Sequence, residues 1–408
     1  MHVSWNEFMD EQESAADAIA GRGHTIPTKR KFAFATITVV AFFVVLEGGL
    51  RLCVEAPEAE RFQQISQMVL FLGTQPSDLM LDFDSERFWR LRKNITVEDP
   101  RNTYWQGTVT NSHGCRSPEF QLIKQPGTLR IVCFGDSSTF GIGATMEDTW
   151  PYQLQALLQQ SLDTGKIAAL ASDGKRLIEV INAGVPGYSS YQGLQHMRQE
   201  IDRLRPDIVF ASYANNDFWQ WDQMSDRQHA KRINRESTAD RLVMTTRLGQ
   251  LFASGISRAR AAYHRQLRTA SPNEHWAEAA TQSYFEPRTD WIPRVSQNEF
   301  RANINQMADL CDERKLALVL VKWPDQRQAA GSWSRRIEYH DILDEIASRR
   351  GLCIADVVTE FQNHRSWSVR TYVPNDIVHV NGAGNRLAAD AALAALYKVL
   401  NRAEVLTN

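Results

Sequence analysis

Four short stretches of the chain carry the residue types that acyl transfer needs. The first is Ile131-Val132-Cys133-Phe134-Gly135-Asp136-Ser137, an apolar run that passes into Gly-Asp-Ser and then into a turn punctuated by Gly141 and Gly143. A serine leaving a buried strand sits where open α/β sheets bind ligands, beyond the carboxyl ends of the strands. A serine there would also serve as an ordinary helix cap. The second stretch runs from Val180 through Asn182, Gly184 and Gly187 to Ser189. Glycine lets a backbone N–H come close to a developing oxyanion, although turn formation alone accounts for the same residues. The third ends an apolar run in Ala214-Asn215-Asn216-Asp217. A neutral asparagine amide is a good oxyanion donor and an equally good turn or cap residue. The fourth, Asp376-Ile377-Val378-His379, sets a carboxylate three residues before a histidine, where it can hold one ring nitrogen and leave the other facing a serine. A second Asp-x-x-His, Asp226 to His229, falls in a polar stretch and reads as a chance occurrence on a solvated segment.

Other chemistries lack their signatures. Gly141-x-Gly143 has no third glycine and comes too late after the strand for a dinucleotide fingerprint. The chain holds neither a Walker sequence nor a Gly-x-Ser-x-Gly elbow, and no two histidines have metal-ligand spacing, so no metal or other cofactor is expected. With 46 Lys and Arg against 48 Asp and Glu, the net charge of −2 supplies no general basic field for nucleic acid. Five cysteines in 408 residues cannot form a disulfide framework, and their odd number leaves at least one thiol free. Cys133, Cys311 and Cys353 fall on apolar runs and read as buried thiols.

The elements that must position these residues alternate from residue 128 onward. Strands are predicted at 129–134, 177–181, 207–213, 316–321 and 352–355, with helices at 150–160, 191–203, 300–313, 336–349 and 382–400. That order is the signature of a parallel sheet covered by helices on both faces, an α/β fold. Phe300, Ile304, Met307 and Cys311 share one helix face. The alternation breaks over 218–293, which reads as an insertion covering the site or facing the membrane, with Phe218, Trp219 and Trp221 as sugar-stacking, core or interfacial aromatics.

Taken in order, the four stretches resemble the blocks of the SGNH hydrolases, the GDSL-type esterase and lipase superfamily, over about residues 128–400. Ala214 stands where the family pattern has glycine. A finer resemblance is to bacterial membrane-anchored members, carried by Asn111-x-x-Gly114-x-Arg116 ahead of the first strand, with Cys115 at a usually aromatic position. The resemblance implies a flavodoxin-like three-layer α/β/α sandwich with a five-stranded parallel sheet. It implies Ser137 as nucleophile, His379 as general base and then acid, and Asp376 as its orienter. The oxyanion hole would be the Ser137 and Gly187 amides with the Asn216 side chain. Such a site cleaves an ester through a seryl intermediate, with an acylated small molecule or O-acylated envelope glycan as substrate. The alternatives are an O-acyltransferase to a glycan hydroxyl and a non-catalytic envelope scaffold, the latter disfavoured because all four stretches keep their reactive residue types.

Near the start, the uncharged run 32–46 follows Lys29, Arg30 and Lys31. It is short for a span, but Glu47 and Arg51, four residues apart, can pair and extend it. There is no small-x-small cleavage site after it, and an uncleaved anchor is expected rather than a signal peptide or a buried helix. Arg22, Lys29, Arg30 and Lys31 outnumber Arg51 and Arg61 on the far side, so a single-pass inner-membrane protein with its bulk outside the cytoplasm is predicted. The organisation expected is a cytoplasmic tail at 1–28, a transmembrane anchor at 29–54, a juxtamembrane segment at 55–127 and the hydrolase domain at 128–404 with its insertion at 218–293.

Overall fold

The structure is a computed structural model that describes residues 27–54, 80–97, 107–167, 174, 177–219, 224–234, 245–252, 255, 292–364, 371–374 and 376–401. Five strands, β3 (Thr128–Gly135), β4 (Leu177–Gly184), β5 (Ile208–Ser212), β6 (Ala317–Lys322) and β7 (Cys353–Asp356), form one parallel sheet in the order β4-β3-β5-β6-β7. An antiparallel hairpin, β1 (Leu81–Asp84) with β2 (Phe88–Leu91), precedes them. All five predicted strands are present, displaced at their ends by a few residues.

Alternate side chains of β3 enter opposite cores, as the period of two requires. Val132 and Phe134 pack with helices α4 (Ser190–Leu204), α6 (Gln297–Glu313) and α8 (Arg336–Arg350) on one face. Ile131 and Cys133 pack with α3 (Trp150–Asp163), the short α7 (Gln326–Ala329), α9 (Val357–Asn363) and α10 (Gly382–Leu400) on the other. Helix α6 begins with a reciprocal capping box between Ser296 and Glu299, and its Phe300, Ile304, Met307 and Cys311 are all buried. Each such large apolar side chain contributes on the order of 2 kcal/mol. Alanines 388, 389, 391, 392 and 395 on α10 are buried too, small enough to bring that helix close to the sheet. Because α3 and α4 leave toward opposite faces, the strand order reverses between β3 and β5, which places a crevice at the carboxyl end of β3.

The described residues 80–97 and 107–127 share this core. Met80, Leu81, Trp89, Leu91 and Cys115 are buried against the face that carries α4 and α6. Most of the predicted insertion lies outside the described residues, Trp221 included. Of its described part, helix α5 (Asp226–Asn234) brings Asp226 and His229 into the interior rather than onto a solvated surface. The expectation of a solvated pair fails because Arg294, just past the far end of the insertion, supplies a buried counter-charge to Asp226. Phe218 is a core residue, its ring 5.9 Å from that of Tyr339.

Helix α1 (Thr28–Cys53) is 26 residues long, so it spans roughly 39 Å at 1.5 Å per residue. It is long and apolar enough to cross a membrane, and its Phe32 to Val45 side chains are exposed. It runs past the apolar stretch to Cys53, and Glu47 and Arg51 pair within that extension at 2.7 Å.

Candidate active site

Strand β3 delivers Gly135, Asp136 and Ser137 to the crevice. A Cβ at Gly135 would collide with the Thr139 side chain and crowd the Ser212 carbonyl, so only glycine lets the chain turn this tightly. Asp136 then caps the short helix α2 (Ser137–Phe140), its Oδ1 accepting the Ser138 N–H at 2.8 Å. At the other end of α2, buried Arg116 donates to the carbonyls of Phe140 at 3.0 Å, Gly141 at 2.6 Å and Ala144 at 2.6 Å. Burial lowers the Arg116 pKa to about 10, against the pull of Glu147. The Asn182 amide adds a bond of 2.8 Å to the Thr139 carbonyl. The turn that carries Ser137 is thus fixed at both ends by buried polar groups.

The loop before α10 supplies the histidine. Asp376 Oδ1 accepts the N–H groups of Val378 at 2.7 Å and His379 at 2.8 Å. This local turn swings Asp376 Oδ2 to 2.7 Å from His379 Nδ1. The other ring nitrogen, Nε2, lies 2.8 Å from Ser137 Oγ. Burial would raise the Asp376 carboxyl, but the charge of His379 and the bonds from its ring and backbone outweigh it and hold the pKa below the usual aspartate value. The Asp226 carboxylate, by contrast, is taken by Arg294 at 2.9 and 3.1 Å and by the Ser189 hydroxyl at 2.5 Å.

The remaining candidates come together at the same edge. Val185-Pro186-Gly187-Tyr188 is a turn closed by the Tyr188 N–H on the Val185 carbonyl at 3.2 Å, and Gly187 has φ +78°. Pro in second place and a left-handed glycine in third are the marks of a type II turn. Among the described residues, no protein acceptor takes the N–H of Ser137 or of Gly187. Asn216 Nδ2 donates to the Tyr188 carbonyl at 3.0 Å and to Asp136 Oδ2 at 3.2 Å, tying the serine turn to the glycine turn. Its neighbour Asp217, wholly buried, accepts the Ser190 N–H at 2.9 Å and the Ala214 N–H at 3.1 Å, and burial pushes its carboxyl up to about 7. Ala214, where the family pattern has glycine, sits at φ +120°, a conformation that strains any residue with a Cβ. Among the described residues, no cluster of three or more His, Cys, Asp or Glu side chains is placed to hold a metal ion.

Fold and geometry thus bring a serine, a histidine and a carboxylate to one sheet edge, an arrangement that can perform acyl transfer. The model of the GDSL-like lipase/acylhydrolase family matches residues 133–387. The chain belongs to that family and is a hydrolase that cleaves ester bonds. Similar solved structures include an acetylxylan esterase from Geobacillus stearothermophilus, 15% identical, covering 68% of this chain and 96% of that one with a TM-score of 0.39. Another is a lipolytic protein of the G-D-S-L family from Veillonella parvula, 12% identical, covering 66% and 98% with a TM-score of 0.38. No curated protein matches the sequence.

Sequence reasoning misses Trp89, Asp226 and Arg294 as residues of this neighbourhood. Trp89 Nε1 donates to the Pro186 carbonyl at 3.0 Å, and Arg294 Nη1 donates to the Gly187 carbonyl at 2.7 Å. No local pattern points to either contact. Arg116 is different, since the Asn-x-x-Gly-x-Arg motif singles it out.

Proposed function

We propose that Ser137 Oγ attacks the acyl carbon of an ester while His379 Nε2 takes its proton. Collapse of the tetrahedral intermediate expels the alcohol, which His379 protonates, and leaves an acyl-Ser137 ester. Water then attacks that ester with His379 again as base, releasing the acid. Asp376 holds the ring so that Nε2 faces the serine, and its lowered pKa keeps it an anion beside the imidazolium that forms. The Ser137 and Gly187 N–H groups donate to the oxyanion, and Asn216 joins them by exchanging its longer bond to Asp136 for one to the oxyanion. The observation that best supports this reading is the unbroken relay from Asp376 Oδ2 through both ring nitrogens of His379 to Ser137 Oγ, at 2.7 and 2.8 Å.

The substrate follows from where the site would lie. With α1 as an uncleaved anchor and the basic residues 22–31 inside, the domain faces the outer side of the inner membrane, and O-acylated envelope glycans are an ester class within its reach. The test is an acid quench of the full chain in detergent during turnover of an acetylated glycan, followed by peptide mass analysis. An acetyl group on the peptide bearing Ser137, with free acetate as product even when glycan acceptors are added, is expected. Turnover with the acyl group on another residue would overturn the assignment of Ser137, and acyl transfer to the acceptors would make the protein a transferase.

A further inference from the structure

The oxyanion role of Gly187 depends on which way one peptide plane faces. In the turn from Val185 to Tyr188 the central peptide joins Pro186 to Gly187. Type I and type II turns differ by a flip of that plane, and a glycine in third place accepts both. The two forms point the Gly187 N–H in opposite directions. Pro-Gly favours the type II form but does not by itself exclude the other.

Trp89 removes the ambiguity. Its indole N–H holds the Pro186 carbonyl at 3.0 Å in the protein interior, where Trp89 itself is 2% exposed. In a trans peptide the N–H points opposite to the carbonyl, so a carbonyl held by Trp89 sends the Gly187 N–H away from the hairpin. A flip would leave the buried indole N–H without this partner. The next plane is held as well, by Arg294 on the Gly187 carbonyl at 2.7 Å. The hairpin is in turn fastened to the turn it holds. The Tyr188 hydroxyl donates to the Trp89 carbonyl at 2.5 Å, and the Gln192 amide donates to the Arg87 carbonyl at 2.7 Å. Just before Trp89, Phe88 adopts φ +69°, an unfavourable conformation for a bulky aromatic residue. Asp84 caps the hairpin turn through the N–H groups of Glu86 and Arg87, and Phe88 stacks on Tyr191 with centroids 6.0 Å apart. These contacts hold the strained backbone.

We propose that Trp89 is a positioning residue of the oxyanion hole, whose indole N–H locks the Pro186–Gly187 peptide so that the Gly187 N–H is presented to the reacting ester. The proposal rests on the reading of Gly187 as an oxyanion donor. It gives the hairpin ahead of the sheet domain a part in the chemistry, exerted through the turn it holds.

The test removes the N–H and keeps the bulk. In the full chain in detergent, 3-benzothienylalanine at position 89 replaces the indole N–H with sulfur, and Trp89→Phe gives a second, encodable variant. For aryl acetate hydrolysis, kcat should fall about tenfold, a fraction of the loss from deleting an oxyanion donor, with KM within about twofold. Phosphonylation of Ser137 by an activated phosphonate should slow by a similar factor. Leu91→Ala, which loosens the same hairpin but keeps the indole N–H, should lower the unfolding midpoint and leave kcat near wild type. Unchanged kcat in the benzothienyl protein, or an equal loss of kcat in Leu91→Ala, would overturn the positioning role while leaving the ester-cleaving site standing. Turnover that survives Ser137→Ala would remove the site reading, and the role of Trp89 with it.

Discussion

The sequence Asp-x-x-His occurs twice in this chain, and the two copies end in different chemistry. At 376–379 the pattern lies in a loop, where Asp376 gathers the N–H groups of Val378 and His379 and turns its second oxygen onto the ring. At 226–229 it opens helix α5, and the carboxylate turns away to Arg294 and the Ser189 hydroxyl. Both aspartates are held, one by a histidine it orients and the other by a guanidinium that neutralises it. A carboxylate three residues before a histidine is therefore not a catalytic pair in itself. The backbone must curl so that the local N–H groups take one oxygen and leave the other for the ring.

The sharpest way to break this comparison is to exchange the histidines. His379→Ala should lower ester turnover by roughly a thousandfold or more, whereas His229→Ala should leave it within a few-fold of wild type. The reverse result in steady-state kinetics would assign the chemistry to the helical pair. Next in size, Arg294→Met leaves the Asp226 carboxylate buried without its cation and should cost about 3–5 kcal/mol in urea unfolding. The double variant Arg294→Met with Asp226→Leu should regain much of that loss, since a buried ion pair contributes little over apolar residues of similar size. A double variant no more stable than the single one would mean that Arg294 acts mainly through the Gly187 carbonyl and the Gln192 side-chain oxygen, to both of which it also donates.

Asp376 should also shape the acid limb of stability. Its pKa is lowered in the folded state, so its contribution is fully present above the usual aspartate value and is lost as pH falls through the depressed one. Thermal melts between about pH 3 and pH 6 should therefore show a fall at the acid end that Asp376→Asn weakens. An identical acid limb in the variant would show that the carboxylate gains nothing on folding. The smallest effect is expected at Ala214. Glycine there relieves the strain of φ +120° but adds freedom to the unfolded chain, so Ala214→Gly should stabilise by about 1 kcal/mol or less. A loss of stability would mean that the Ala214 methyl packs well enough to outweigh the backbone.

Much of the site is legible in the sequence because it is built from local geometry. Asp136 to Ser138, Val185 to Tyr188, and Asp376 to His379 each close a turn through a bond within three residues, so residue type and spacing reveal those turns, while distant groups fasten them in place. The expectation for Asp226 and His229 fails for the complementary reason. A polar composition reads as solvated unless a counter-charge buries it, and Arg294 lies 68 residues away.

By itself, then, the sequence determined the five strands, the amphipathic helices between them and the order in which serine, asparagine and histidine reach the sheet edge, since periodicity and turn chemistry are properties of neighbouring residues. The tertiary structure decided which way the donors point. Trp89 reaches Pro186 across 97 residues, and Arg294 reaches Gly187 across 107. A buried polar group must find a partner. Only the packing of distant segments selects which carbonyl that partner is.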